Sequence, residues 1–257
     1  MPSSVVSGRR IFFESMGNGL PLVFVHGSTA SHRTWDLQRQ LSKTHRIILL
    51  DLPGHDQSDP LNEPVTVKLL ADHVAAFVKN LGTGPAVLVG HSLGGAVCLQ
   101  LAIDHPALVR ALVLVGTGAK LGVFPAILES LKTDFRASID LAIGAMAFAS
   151  TARPQIIERS KRESLKCRPE VAYADFVACN TFDVRERVSD ITAPTLVLVG
   201  TEDRLTPVKW SQFLNDKIVG SYLRVIANAG HMVMLEQPEE VNRAILTFLA
   251  GLPTDSH

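Results

Sequence analysis

Short, continuously apolar runs recur along the chain, separated by longer stretches in which apolar residues return every three to four positions. Residues 22–26, 46–51, 86–90, 112–116, 195–200 and 222–226 read as such strand-like runs, rich in β-branched side chains and most of them continuously apolar. Continuous rather than alternating hydrophobicity is what a parallel strand covered on both faces requires. Between them, 65–81 has helical spacing, 93–104 opens on small residues, and 239–249 follows Pro238, a residue suited to a first helical turn. Two short extended stretches before Pro21 supply antiparallel edge strands. Strand and helix alternate, which predicts an α/β fold with a mostly parallel central sheet flanked by helices.

The rhythm breaks between 117 and 189. That stretch offers only helix-like segments, 126–131, 138–150, 155–165 and 170–181, punctuated by Pro125, Pro154 and Pro169. It reads as a helical cap inserted between two strands. The expected division is therefore 1–116 with 190–257 as the core and 117–189 as the cap.

Composition narrows the class. Of 257 residues 46% are apolar and 19% charged, with 25 Lys+Arg against 25 Asp+Glu. A disordered chain would be less apolar, and a nucleic-acid binder more basic, so neither a polyanion partner nor disorder is expected. Three cysteines, Cys98, Cys167 and Cys179, form no disulfide framework and have no zinc-ligand spacing. Free thiols fit a reducing, cytoplasmic location. After Arg9 and Arg10 the chain runs into Glu14 and a Gly-rich turn with no apolar h-region, so no export signal is read. The uncharged run 85–103 is long enough to span a membrane, but the Gly90-His91-Ser92-Leu93-Gly94-Gly95 within it suits a strand, a sharp turn and a helix.

That turn carries the candidate chemistry. Gly90-x-Ser92-x-Gly94 has the form of a nucleophile elbow, which lifts a serine above the C-terminal edge of a sheet. Serine needs a base to take its proton, and the base needs an acid to orient it. His231 in Asn228-Ala229-Gly230-His231 and Asp203 in Gly200-Thr201-Glu202-Asp203 each follow a predicted strand. The chain order Ser92, Asp203, His231 is the order found on such sheets. Glu202, Asp183 and Asp175 are alternatives for the acid, and Asp203 is preferred because the orienting group needs a rigid core. The oxyanion of a tetrahedral intermediate needs two N–H donors. Leu93 follows the serine, and Ser28 follows the first core strand after His26-Gly27. His91, His26 and His55 read as packing or loop-tying residues, and Cys98 as core. Six bases lie between Arg153 and Arg168 against Glu158 and Glu163, either a solvated helix face or a patch that steers an anionic substrate. The apolar run 141–149 either lines an acyl pocket or packs the cap. Phe124, Met146, Phe148 and Met232 are the substrate-pocket candidates.

Taken together with His26-Gly27, Asp51-Leu52-Pro53-Gly54-His55, Gly200-x-x-Asp203-x-x-x-Pro207 and Gly230-His231 before Glu236-Gln237-Pro238, these motifs make the chain resemble a capped α/β-hydrolase over nearly its whole length. Asp56 departs from the pattern, standing where relatives usually carry a second glycine. The resemblance implies hydrolysis of a small or medium carboxylic ester with no metal or organic cofactor. Lactone opening and carbon–carbon bond hydrolysis use the same groups. The carbon–carbon reading is weakened because Ser28-Thr29-Ala30-Ser31 replaces a longer glycine run. A slow-turnover small-molecule receptor is the alternative outside catalysis; such receptors tend to lack the second glycine seen in Gly94-Gly95. Substrate identity and oligomeric state are open at this level.

Overall fold

The computed structural model describes residues 3–253; residues 1–2 and 254–257 of the expected core lie outside them. Among the described residues eight strands form one sheet: β1 Ser3–Val6, β2 Arg9–Met16, β3 Pro21–Val25, β4 Arg46–Leu50, β5 Ala86–His91, β6 Val109–Val115, β7 Thr195–Gly200 and β8 Tyr222–Ile226. Their order is β1-β2-β4-β3-β5-β6-β7-β8. β1 pairs with β2 and β2 with β4 antiparallel, while every other pairing is parallel.

Successive strand residues point to opposite faces, so each apolar run feeds two cores. Val23, Val25, Ile48, Leu50, Leu112 and Leu114 pack on one face beneath helices α1 Val67–Leu81 and α2 Leu93–Asp104. Leu22, Phe24, Ile47, Leu49, Val113 and Val115 pack on the other, against Trp35. Trp35 belongs to a kinked 3₁₀ segment, His32–Lys43, that the apolar periodicity leaves unassigned. α1 has clear end signals: the Thr66 hydroxyl accepts the Leu69 N–H at 3.0 Å, a cap contributing about 1 kcal/mol, and Gly82 ends the helix at φ +63°.

Four helices separate β6 from β7: α3 Pro125–Thr133, α4 Phe135–Ile139, α5 Pro154–Ser164 and α6 Pro169–Thr181. Three of them begin on the prolines that the sequence marks. The expected helix over 138–150 is replaced by the short α4 and a π-helical turn, Asp140–Met146. Ile127, Leu131, Ala142 and Ala172 give the insertion a small apolar cluster of its own. After β7 come α7 Val208–Lys217, then β8, the single turn α8 Val233–Glu236 and α9 Pro238–Ala250, whose Val241, Ile245 and Phe248 close the second core. β8 lies at the sheet's edge, with Tyr222 and Val225 exposed.

The connection after β3 leads outward to β4, whereas α2 carries the chain after β5 the opposite way, to β6. The sheet order therefore reverses between β3 and β5. A crevice opens there at the strands' C-terminal ends, where ligands of open α/β sheets bind. Gly27 lies just past the end of β3 and Ser92 just past the end of β5.

Candidate active site

Ser92 joins β5 to α2 with φ +54° and ψ −119°. A side-chain-bearing residue held there stores about 1–3 kcal/mol of strain. The neighbouring glycines make the turn possible by removing side-chain bulk. A Cβ on Gly90 would lie 2.4 Å from the Gly94 carbonyl oxygen, and one on Gly94 would lie 2.2 Å from the carbonyl oxygen of Val25. The Ser92 N–H donates to the Val115 carbonyl at 3.0 Å, and the Thr117 hydroxyl donates to the Ser92 carbonyl at 2.8 Å. Leu93 is the first residue of α2, so its N–H has no acceptor within the helix. Gly27 lets the loop after β3 close against the serine, since a Cβ there would lie 3.1 Å from Ser92 Cβ. Ser28 follows it and lines the same cavity as Ser92.

Asp203 and His231, both buried, meet beyond β7 and β8. His231 Nδ1 lies 3.0 Å from Asp203 Oδ2 and 3.2 Å from Oδ1. The Leu205 and Thr206 N–H groups donate to Oδ1 at 3.0 and 2.7 Å, and the Thr206 hydroxyl donates to Oδ2 at 2.8 Å. Burial opposes the charge on Asp203, but the His231 ring and the Thr206 donors outweigh it and hold the carboxyl below its ordinary value. Thr206 carried no signal in the sequence beyond lying between Asp203 and Pro207.

The other carboxylates considered for the acid have different partners. Glu202 accepts the Ser150 N–H at 2.8 Å, Asp183 pairs with Arg185 at 2.7 Å, and Asp175 pairs with His55 at 2.9 Å. Glu236 spans two loops, accepting the Gly230 N–H at 2.8 Å and the Ala149 N–H at 2.9 Å. With the Met232 N–H donating to the Ala147 carbonyl at 3.1 Å, it ties the His231 loop to the end of the π-helical turn's segment.

Two histidines flank the site without sharing the position of His231. His91 is buried, its ring centroid 4.6 Å from that of His231, and its Nε2–H donates to the His231 carbonyl at 3.1 Å. Burial and the nearby His231 push its pKa down to about 3, so it stays neutral. His26 Nδ1–H donates to the Gly27 carbonyl while Nε2 accepts the Leu52 N–H at 3.0 Å. Burial, then His55, holds it well below the usual imidazole range. Cys98 is buried core, and desolvation raises its thiol pKa far above the ordinary value.

Ser28, Ser92 and His231 open on one cavity of about 430 Å³ between the sheet's C-terminal edge and the insertion. Of the pocket candidates, Phe124 and Met232 line it. Met146 and Phe148 do not: Phe148 is buried in the second core, and Met146 packs on the insertion's own cluster. The run 141–149 is thus divided, with Ala142 and Ile143 facing the cavity and Ala147 to Ala149 packed inside. The six bases between Arg153 and Arg168 are largely paired. Arg159 contacts Asp36, Lys161 contacts Asp140, Lys166 contacts Glu163 and Arg168 contacts Glu170. The mouth therefore carries both signs.

Among the described residues one group, His32, Asp51 and Asp56, brings three potential metal-ligand atoms within 4.8 Å of one another. Its polar atoms already satisfy each other: the His32 N–H and the ring Nδ1 each lie 2.8 Å from Asp51 Oδ1. Asp56, the departure from the family pattern, takes the left-handed φ of +38° that glycine would supply, and its carboxylate pairs with Arg33. Aspartate tolerates that conformation better than most residues. The loop keeps its turn.

A profile of the alpha/beta hydrolase family matches residues 22–244. The solved structure of a thermophilic esterase is 38% identical, with a TM-score of 0.87, covering 98% of this chain and 97% of its own. The N-acyl homoserine lactone degrading enzyme Est816 is 30% identical, with a TM-score of 0.88, covering 96% of this chain and 100% of its own. The 2-hydroxy-6-oxo-2,4-heptadienoate hydrolase of Pseudomonas putida is 30% identical over 92% of this chain and 91% of its own.

Proposed function

Because this chain belongs to the alpha/beta hydrolase family, we propose that it is a serine hydrolase that cleaves a small or medium carboxylic ester through an acyl-enzyme. The observation that carries the reading is the buried Asp203–His231 pair opening on the same cavity as Ser92, which stands on a strained turn. Ser92 Oγ attacks the ester carbonyl as His231 Nε2 takes its proton. Asp203 accepts from Nδ1–H, which fixes the tautomer and stabilises the imidazolium. The Leu93 and Ser28 N–H groups hold the oxyanion of the tetrahedral intermediate. His231 then protonates the leaving alcohol, and a water attacks the acyl-enzyme with His231 again as base.

The segment 117–189 serves as the cap over this chemistry, and 1–116 with 190–257 as the catalytic core. A reducing, cytoplasmic setting suits the three free thiols, and no helix among the described residues is long and apolar enough to cross a membrane. A lactone is a cyclic ester, and the similarity to a lactone degrading enzyme makes lactone opening the second reading. A panel of linear esters and acyl lactones, compared by kcat/KM, separates the two. The central test is Ser92→Ala, for which turnover of p-nitrophenyl butyrate is expected to fall by at least ~10⁴-fold in a folded protein. Wild-type turnover in that variant removes Ser92 as nucleophile.

A further inference from the structure

The turn that carries Ser28 is held from outside the core. The Ala30 N–H donates to the Gly27 carbonyl at 3.3 Å, closing a tight turn whose third residue, Thr29, has φ +58°. That left-handed conformation is strained for a side-chain-bearing residue, so neighbouring contacts must hold it. Two contacts hold Thr29 itself, both from the insertion, beside a third at 3.6 Å between the Ser28 hydroxyl and the Cys179 thiol on α6. The Thr29 hydroxyl donates to the Ser164 hydroxyl on α5 at 3.3 Å, and the Thr29 N–H donates to Asp175 Oδ2 on α6 at 3.3 Å.

Asp175 is itself anchored. Its Oδ2 lies 2.9 Å from His55 Nε2, and both side chains are 1% exposed. His55 Nδ1 lies 3.2 Å from the Pro53 carbonyl. A carbonyl oxygen only accepts, and a carboxylate oxygen that already takes the Thr29 N–H also accepts, so the ring donates from both nitrogens as an imidazolium. Its neighbour is arranged to match. His26, with ring centroid 4.8 Å away, uses Nε2 as an acceptor and remains neutral. The buried charge on His55 therefore has Asp175 as its direct counter-ion, and the carboxylate is fixed between core and insertion.

Resting on the reading of Ser28 as an oxyanion donor, we propose that Asp175 is a positioning residue: from the insertion it holds the Thr29 N–H, and so sets the turn that presents the Ser28 N–H to the developing oxyanion. The insertion then completes the oxyanion site as well as covering the cavity. Asp175 touches no reacting atom.

The experiment compares wild type with Asp175→Asn and Asp175→Ala on p-nitrophenyl butyrate. It also measures inhibition by a trifluoromethyl ketone, whose hemiketal oxyanion occupies the hole, and by an inert ether of the same shape. Asp175→Ala is expected to lower kcat by roughly 10–100-fold, short of losing a donor outright. Ketone affinity should fall by the same factor, with KM and ether binding within about twofold. Asp175→Asn keeps an acceptor for Thr29 but loses the charge, and should fall between; it decides the matter if the alanine variant does not fold. Wild-type ketone affinity in a folded variant overturns the proposal, as does an equal loss of ketone and ether binding, which marks general loosening. Ser92→Ala is run in parallel. Retained turnover there sinks the nucleophile reading, whereas an inactive Ser92→Ala beside Asp175 variants of wild-type ketone affinity sinks only this inference.

Discussion

The Thr206 hydroxyl stands between the partners of the Asp203–His231 pair, 2.8 Å from Asp203 Oδ2 and 3.1 Å from His231 Nδ1. It donates to the carboxylate and so helps fix the angle at which Asp203 meets the ring. Its backbone N–H makes a separate bond to Asp203 Oδ1, so Thr206→Val removes the hydroxyl alone. A hydrogen bond to a charged group contributes about 1.5–3 kcal/mol, part of which the remaining donors recover. We expect kcat to fall about tenfold, equivalent to about 1.4 kcal/mol, with KM changed less than twofold. Steady-state kinetics on p-nitrophenyl butyrate check this, and an unchanged kcat reduces Thr206 to packing.

Helix α6 meets the loop after β4 through the buried His55–Asp175 pair. Burial opposes the charge on His55, but Asp175 and the Pro53 carbonyl outweigh it and raise the ring above its ordinary value. A raised folded-state pKa makes the pair's stabilisation complete below the unfolded value, near 6.5, and removes it as pH rises through the folded value. Losing one partner of a buried pair costs about 3–5 kcal/mol. His55→Gln should therefore be less stable than wild type by about 3 kcal/mol near pH 6, and the gap should narrow as pH rises. Urea unfolding of both proteins at several pH values measures it. A gap that widens with pH contradicts the assignment of charge. The helix expected over 138–150 belongs to this scale too, because hydrophobic periodicity places a helix there but does not distinguish a continuous α-helix from α4 followed by a π-turn.

The cavity exists only because two distant parts of the chain face each other, the β3–β5 crevice below and the insertion above. Ile127 on α3 is 1% exposed, belongs to the insertion's apolar cluster and lines the cavity. Ile127→Trp should shorten the space for an acyl chain. Each methylene excluded from an apolar wall forfeits about 0.8 kcal/mol, so kcat/KM for an octanoyl ester should drop at least about tenfold while that for an acetyl ester stays within twofold. Equal losses for both would place the acyl chain elsewhere. How far the sequence reaches is visible in these same residues. The apolar runs that became β3 to β7 are legible because a strand buried on both faces leaves no polar position to hide it. Ser92, Asp203 and His231 are legible because each sits in a short motif just past such a strand. Phe148 and Met146 look the same in sequence as Phe124 and Met232, yet only the latter pair reaches the cavity, since direction within the insertion depends on how its helices dock. His55 and Asp175 are 120 positions apart and carry no shared motif. The sequence by itself determined the alternation of strand and helix, the insertion and the order of Ser92, Asp203 and His231, because these rest on local periodicity and turn chemistry. Only the tertiary structure decided which carboxylate meets His231, which one grips the Ser28 turn and which apolar side chains wall the cavity, because contacts between distant segments are set by packing and leave no local trace in the chain.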